Sequence, residues 1–240
     1  MFTRLIELVP LRIIGVMARR KRILNVKEGL AQSSFNLKLD VPKRKTKNSV
    51  IVATIGLVGS GKSSVAQELA RHIGATIIRG DDIRVELRKN GSGYERAWVI
   101  AENVAIGVAE CGGNVILDSD FVDAKKRASV RERARRAGTH LFFVRTTCDF
   151  DVMSQRIREN DPGEFFNLAT SNSTAKDKGR DVKFREMDRR KPLHYRWINE
   201  GGGKWVLKKF PFAIFAEIDT TDFDSWKHKV EQYSKRLIAN

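Results

Sequence analysis

Cysteine is nearly missing from this chain. The 240 residues hold two, Cys111 and Cys148, with no Cys-x-x-Cys pair and no Cys/His spacing that suits a metal. Two thiols in a chain of this size exclude a disulfide-built framework and suggest a reducing compartment, where each serves as a small buried hydrophobe. The four histidines, His72, His140, His194 and His228, form no constellation in the sequence and are expected to be structural or exposed. Long apolar runs are missing too. No stretch approaches the roughly 20 apolar residues that cross a bilayer. Residues 5–17 are interrupted by Glu7, Pro10 and Arg12 and are followed by no small-residue cleavage site, so no secretory leader is expected and a cytoplasmic protein is. No internal repeat is present.

Acidic residues are scarce. Asp and Glu number 29 against 45 Lys and Arg, a net charge of +16. Residues 1–48 carry +9 of this, from 12 basic and 3 acidic side chains. Such an excess suits anionic partners: nucleotides, nucleic acid or an anionic membrane surface, and charge does not choose among them. Residues 1–48 read as a basic N-terminal extension and linker. An apolar, basic stretch over 5–24 contains Arg19-Arg20-Lys21-Arg22, and a basic linker follows at 42–47. The simplest expectation is a helix packed on the main domain followed by a solvated linker. A peripheral amphipathic helix on an anionic membrane and a nucleic-acid arm are the alternatives.

From residue 49 strands alternate with helices. The β-branched run Ser-Val-Ile-Val-Ala-Thr-Ile-Gly over 49–56 predicts a buried strand. Val65, Leu69 and Ile73 recur every fourth residue and predict a helix over 62–73. Further strands are predicted at 75–78, 114–118, 140–146 and 212–218, and helices at 94–110, 124–137, 149–159, 183–190 and 224–237. Helices of this length between strands imply a parallel sheet covered on both faces, a three-layer α/β sandwich.

Gly56-Leu57-Val58-Gly59-Ser60-Gly61-Lys62-Ser63 matches the phosphate-binding pattern Gly-x-x-x-x-Gly-Lys-Ser/Thr, after a predicted strand and before a predicted helix. Glycines let backbone N–H groups approach phosphates, and the helix behind them points its positive end the same way. Gly56, Val58, Gly59, Ser60, Gly61, Lys62, Ser63 and Ser64 are therefore the candidate ATP-binding residues, with Lys62 reaching the β- and γ-phosphates and Ser63 ligating Mg²⁺. Asp118 ends the strand Val115-Ile116-Leu117-Asp118 and is the second candidate metal ligand. Asp120 is a weaker candidate, suited to capping the next helix. Asp81 and Arg84 are three residues apart, so a helix beginning there puts both on one face. A carboxylate beside a phosphate site can take a proton from a hydroxyl, and the arginine can hold the acceptor or the carboxylate. Helix capping with a surface ion pair is the plainer reading of the same two residues.

The loop, the segment Gly80-Asp81-Asp82-Ile83-Arg84, the strand ending in Asp118 and the arginine-bearing helix after the fourth strand resemble the polynucleotide-kinase-like P-loop kinases. Similar segments occur in adenylylsulfate kinases and zeta-toxin kinases. The resemblance covers about residues 50–237. It implies an adenylate-kinase-like strand order of 2-3-1-4-5 and a lid around 156–196. It implies that Asp81 is the catalytic base, Arg84 a substrate-site arginine, and Arg156, with Arg158, a lid arginine that clamps phosphates. Arg185 and Arg189 match a lid-closing helix more loosely. Asn160, where an arginine is common, and Asp120, where Asn or Thr is common, depart from the pattern. The expected function is an ATP-dependent kinase moving the γ-phosphate to a hydroxyl of a small metabolite, a sugar-nucleotide or a polynucleotide 5′ end. The alternative is a P-loop ATPase or nucleotide switch acting through a partner. No Asn-Lys-x-Asp guanine-reading segment is present, which argues against a GTPase.

Overall fold

Val50–Ile55 forms strand β1, and all six residues are buried. A strand covered on both faces needs no polar alternation, and its one hydroxyl, on Thr54, donates to Ser119 O at 2.8 Å. The computed structural model describes residues 23–159, 179–199 and 202–239. The basic cluster at 19–22, Asn160 and the polar stretch to residue 178 lie outside them.

Before β1 comes helix α1 (Val26–Asn36). After it the chain runs through α2 (Lys62–Ile73), β2 (Ala75–Arg79), α3 (Gly80–Lys89), α4 (Ala97–Glu110), β3 (Asn114–Asp118), α5 (Ala124–Arg136), β4 (His140–Thr147) and α6 (Phe150–Glu159). Helix α7 (Gly179–His194) leads into the hairpin β5 (Tyr195–Ile198) and β6 (Lys204–Leu207), then β7 (Ala216–Asp219) and α8 (Ser225–Ala239).

Five strands form one parallel sheet in the order β2-β3-β1-β4-β7. With β7 as the fifth strand of the alternation, this is the expected 2-3-1-4-5 order. Side chains alternate across it. Ile51, Ala53, Ile55, Val115 and Leu117 face a core shared with α1, α3, α4 and α5. Val50, Val52, Ile116, Val144 and Ile218 face a core shared with α2 and α8. A third cluster joins Leu57 at the base of the phosphate loop to Met153 and Ile157 of α6 and Met187 of α7. The sheet thus fixes the loop from below, and α6 and α7 fix it from the side.

Three local expectations change. The last strand is Ala216–Asp219, shorter than 212–218. Phe210 and Phe212 stack on each other with centroids 5.0 Å apart, and Phe212 meets Phe143 of β4 edge-on, so these aromatics serve the core as a loop. The basic helix predicted at 183–190 extends over Gly179–His194, with Pro192 in its final turn. The antiparallel β5–β6 hairpin was not expected; it is pinned by edge-on Trp197 and Trp205.

The segment before β1 is tied down more than a solvated linker would be. Asn25 and Glu28 form a reciprocal capping box at the start of α1. Ala31 and Phe35 are buried in the larger core, and buried Gln32 accepts a hydrogen bond from Asn103 Nδ2 at 3.1 Å. Further along, Lys45 N donates to Ile73 O at 3.0 Å, and buried Thr46 donates to Asn48 O at 2.6 Å. The side chains of Lys43, Lys45 and Lys47 remain exposed while the backbone between them is anchored.

Candidate active site

The phosphate loop is held open by two glycines in the left-handed region. Gly59 has φ +82° and Gly61 φ +75°. A side chain at Gly59 would meet Met153 O at 2.9 Å, and one at Gly61 would meet Thr220 Oγ1 at 2.8 Å, so space and conformation both demand glycine. Ser60 turns inward: its hydroxyl donates to Leu57 O at 2.8 Å and lies 2.8 Å from Thr146 Oγ1. It is the one candidate loop residue whose side chain braces the loop and leaves the cleft. Gly56, Val58, Gly59, Gly61, Lys62, Ser63 and Ser64 line a cleft of about 1180 Å³, together with Asp81, Arg84, Asp118, Asp120, Lys126, Arg156 and Arg190.

Lys62 curls over the loop and donates to Gly56 O at 2.9 Å and Leu57 O at 2.7 Å. Burial lowers its pKa, opposed by the nearby carboxylates of Asp120 and Asp118. Asp118 is buried at the end of β3. Burial raises its pKa, opposed by a hydrogen bond from Ser63 and by the charges of Lys62 and Arg79. Arg79 Nε stands 3.7 Å from Asp118 Oδ2.

Helix α3 begins at Gly80, so Asp81 lies in its first turn, and Arg84 Nη1 donates to Asp81 Oδ1. Both reach the cleft. Asp82, one step around the helix, points to a separate groove lined by Lys38, Val85 and Glu86. Arg84 Nε is buried with no hydrogen-bond partner.

Arg156 is committed to the protein. Its guanidinium donates to Thr220 Oγ1 at 3.0 Å and to Thr220 O at 2.5 Å, with Gly59 O at 3.4 Å. It ties α6 to the loop and to the end of β7 from the edge of the cleft. Arg158 lies 6.0 Å from the Phe184 ring centroid, and Arg189 pairs with Glu186 at 2.8 Å. Arg185 lines the cleft.

The sequence reading missed the network around Asp120. Its Oδ1 accepts from Gly56 N at 3.3 Å and Val122 N at 3.2 Å. Its Oδ2 accepts from Arg190 Nε at 2.8 Å and lies 3.0 Å from His194 Nε2. Burial alone would push this carboxyl up, but the His194 hydrogen bond, the His194 charge, Arg190 and Lys62 hold it well below the usual range. His194, only 2% exposed, is itself fixed by Arg145, whose Nη2 donates to His194 O at 3.2 Å. One carboxylate thus joins the first glycine of the phosphate loop to α7. The partners lie 70 and 74 residues away, and no local spacing announces them.

The donor set suits a nucleotide with magnesium. A hydroxyl and a carboxylate, on Ser63 and Asp118, are hard oxygen ligands. Among the described residues no cluster of three or more His, Cys, Asp or Glu side chains forms a self-sufficient cage. Magnesium is usually held this way, by one or two carboxylates plus phosphate oxygens and water.

A phosphate loop between β1 and α2, with Asp118 on the adjoining strand of a 2-3-1-4-5 parallel sheet, defines the P-loop kinase fold. A family model described as an AAA domain matches residues 51–168. The thermoresistant gluconokinase of Escherichia coli (strain K12) is 30% identical over 142 residues, covering 55% of this chain and 79% of that protein. The chain belongs to the P-loop kinase family that includes this gluconokinase. An uncharacterized protein of Mycobacterium tuberculosis (strain H37Rv) is 38% identical over 120 residues, 42% of this chain, and the match spans only 24% of that longer protein. Among solved structures, a putative kinase from Chloroflexus aurantiacus superposes with a TM-score of 0.57 at 14% identity, covering 80% of this chain and 99% of that one. Among the described residues no helix is long and apolar enough to cross a membrane.

Proposed function

We propose that this chain is an ATP-dependent kinase that moves the γ-phosphoryl group to a hydroxyl of a small molecule. The observation that carries this reading is the placement of the Asp81–Arg84 pair in the same cleft as Lys62 and Asp118. A nucleotide switch needs the loop and the metal-side carboxylate; it has no use for a second carboxylate poised on the facing helix. The gluconokinase relative, a kinase by name, supports the same class.

In this mechanism the amides of 59–63 and Lys62 bind the phosphates, and Lys62 exchanges its two loop carbonyls for phosphate oxygens. Ser63 and Asp118 would hold magnesium, which would supply neutralisation of the phosphate charge. Asp81 accepts the acceptor's hydroxyl proton while the acceptor oxygen bonds to the γ-phosphorus. The bond from that phosphorus to the β–γ bridging oxygen breaks, and its electron pair leaves with ADP. Arg84 orients the Asp81 carboxylate. Positioning and electrostatics supply most of the acceleration.

The test is ADP production by the full chain with and without hydroxyl-bearing acceptors, with γ-labelled ATP tracing the phosphate into product. Acceptor-dependent labelling supports a kinase. ATP consumption that no acceptor changes, with all label released as inorganic phosphate, would favour the nucleotide-switch or ATPase reading.

A further inference from the structure

Helix α1 has a second face that the core does not use. Its inner face, Glu28, Ala31, Gln32 and Phe35, is buried. At about 100° per residue, Val26, Leu30 and Leu37 at the C-cap fall within about 40° of one another on the opposite side. They are 80%, 54% and 82% exposed, and Ile23, just ahead of the helix, is 89% exposed. Among the described residues eight large apolar side chains stand exposed, and half of them lie between residues 23 and 37. A single exposed leucine is ordinary; four gathered at one helix mark a contact surface.

The charge around this stripe has one sign. Between residues 23 and 39 the only acidic side chain is Glu28, which is buried and accepts from Asn25 N at 3.0 Å. Lys27 and Lys38 are exposed at the flank of the stripe, and Lys38 shares buried Glu86 with Lys89. In the sequence, Arg19-Arg20-Lys21-Arg22 directly precedes Ile23. This chemistry chooses among partners. Nucleic acid would take the cations and leave the stripe unused, since bases stack on aromatic rings and the stripe has none. A second copy would cover the stripe but bring two basic rims together. An anionic lipid surface takes both: the acyl boundary receives Val26, Leu30 and Leu37, and the headgroups receive the lysines and arginines.

We propose that the outer face of α1 is a docking surface for an anionic lipid bilayer. The helix lies flat on that surface, because Ala31 and Phe35 keep its inner face in the core. Contact is therefore shallow and reversible, made by side chains on one flank of a folded domain. No residue between 23 and 38 lines the nucleotide cleft, so the proposal stands apart from the kinase reading.

The experiment sediments the full chain with vesicles of phosphatidylcholine alone and of phosphatidylcholine mixed with phosphatidylglycerol. Binding to the mixed vesicles only, weakening as salt is raised, is the expected result. Leu30→Glu combined with Leu37→Glu should lower the partition coefficient roughly tenfold or more, and Leu30→Ser with Leu37→Ser should lower it by less. All four substitutions fall at exposed positions, so the unfolding midpoint and ATP affinity should match wild type. Ile238→Ser, at an exposed apolar position of α8, should leave vesicle binding unchanged. A full chain that sediments with neither vesicle, or equally with both, would overturn the proposal. Binding that survives both double variants would belong to the basic residues alone and would overturn it too. A dimer seen by analytical ultracentrifugation without lipid, and lost in the same variants, would make a second copy the occupant and overturn it as well.

Discussion

Asp81 and Asp82 are adjacent in sequence and face different clefts, which makes them a matched pair for testing the proposed base. Asp81→Asn keeps the shape and the loop contacts but cannot take a proton. Its kcat should fall by about 10²–10⁴, the usual worth of a positioned base, while ATP affinity measured by calorimetry stays near wild type. Asp82→Asn should be mild. The reverse result would shift the register of the site by one residue. Asp120 calls for a different measurement, because its work is structural. Asp120→Asn removes the charge that holds Arg190, at a cost of about 3 kcal/mol in thermal unfolding. The folded-state pKa of Asp120 is depressed, so the stability it contributes is complete above the unfolded value of about 3.9 and fades as pH falls below it. The Tm gap between wild type and Asp120→Asn should therefore be full at pH 7 and narrow below about pH 4. A gap independent of pH would mean that the carboxylate charge is not what matters.

At the scale of elements, a helix packed on the main domain was the simplest expectation for residues 1–48, and the position of α1 is what composition concealed. Its buried face mixes Ala31 and Phe35 with Glu28 and Gln32, so it shows little of the periodicity that reveals a helix. The packing of Ala31 and Phe35 favours a folding unit that includes α1, and we propose that the unit takes in at least residues 24–36. Phe35→Ala should cost about 3 kcal/mol by leaving a cavity against α3 and α4, and a chain begun at Lys47 should lose stability by at least as much, both read as shifts in chemical denaturation. A Lys47 start that unfolds like the full chain would return α1 to the status of an appendage. The strands and α2 were legible because their periods are local and strong. The phosphate loop was legible because backbone chemistry fixes its spacing. The Asp120–Arg190–His194 network was illegible for the opposite reason: each member is ordinary in its own sequence neighbourhood and acquires meaning only when α7 folds back over β3.

For the molecule as a whole, the loop's self-contacts set what nucleotide binding has left to do. Lys62 is already docked on Gly56 O and Leu57 O, Ser60 on Leu57 O, and Arg156 bridges Gly59 O to Thr220 O. A loop braced in this way has little disorder to lose when a ligand arrives, so the entropic penalty of ordering it is largely absent from the binding free energy. In hydrogen–deuterium exchange the amides of residues 56–63 should be slow before nucleotide is added and only modestly slower afterwards. Residues 179–194, which reach the loop through Asp120, should respond with them. Fast exchange across 56–63 that collapses on adding ATP would describe a loop that folds around its ligand. Slow exchange throughout would describe a receptor in which shape precedes occupancy, and turnover would then be governed by the traffic of acceptor and product through the cleft.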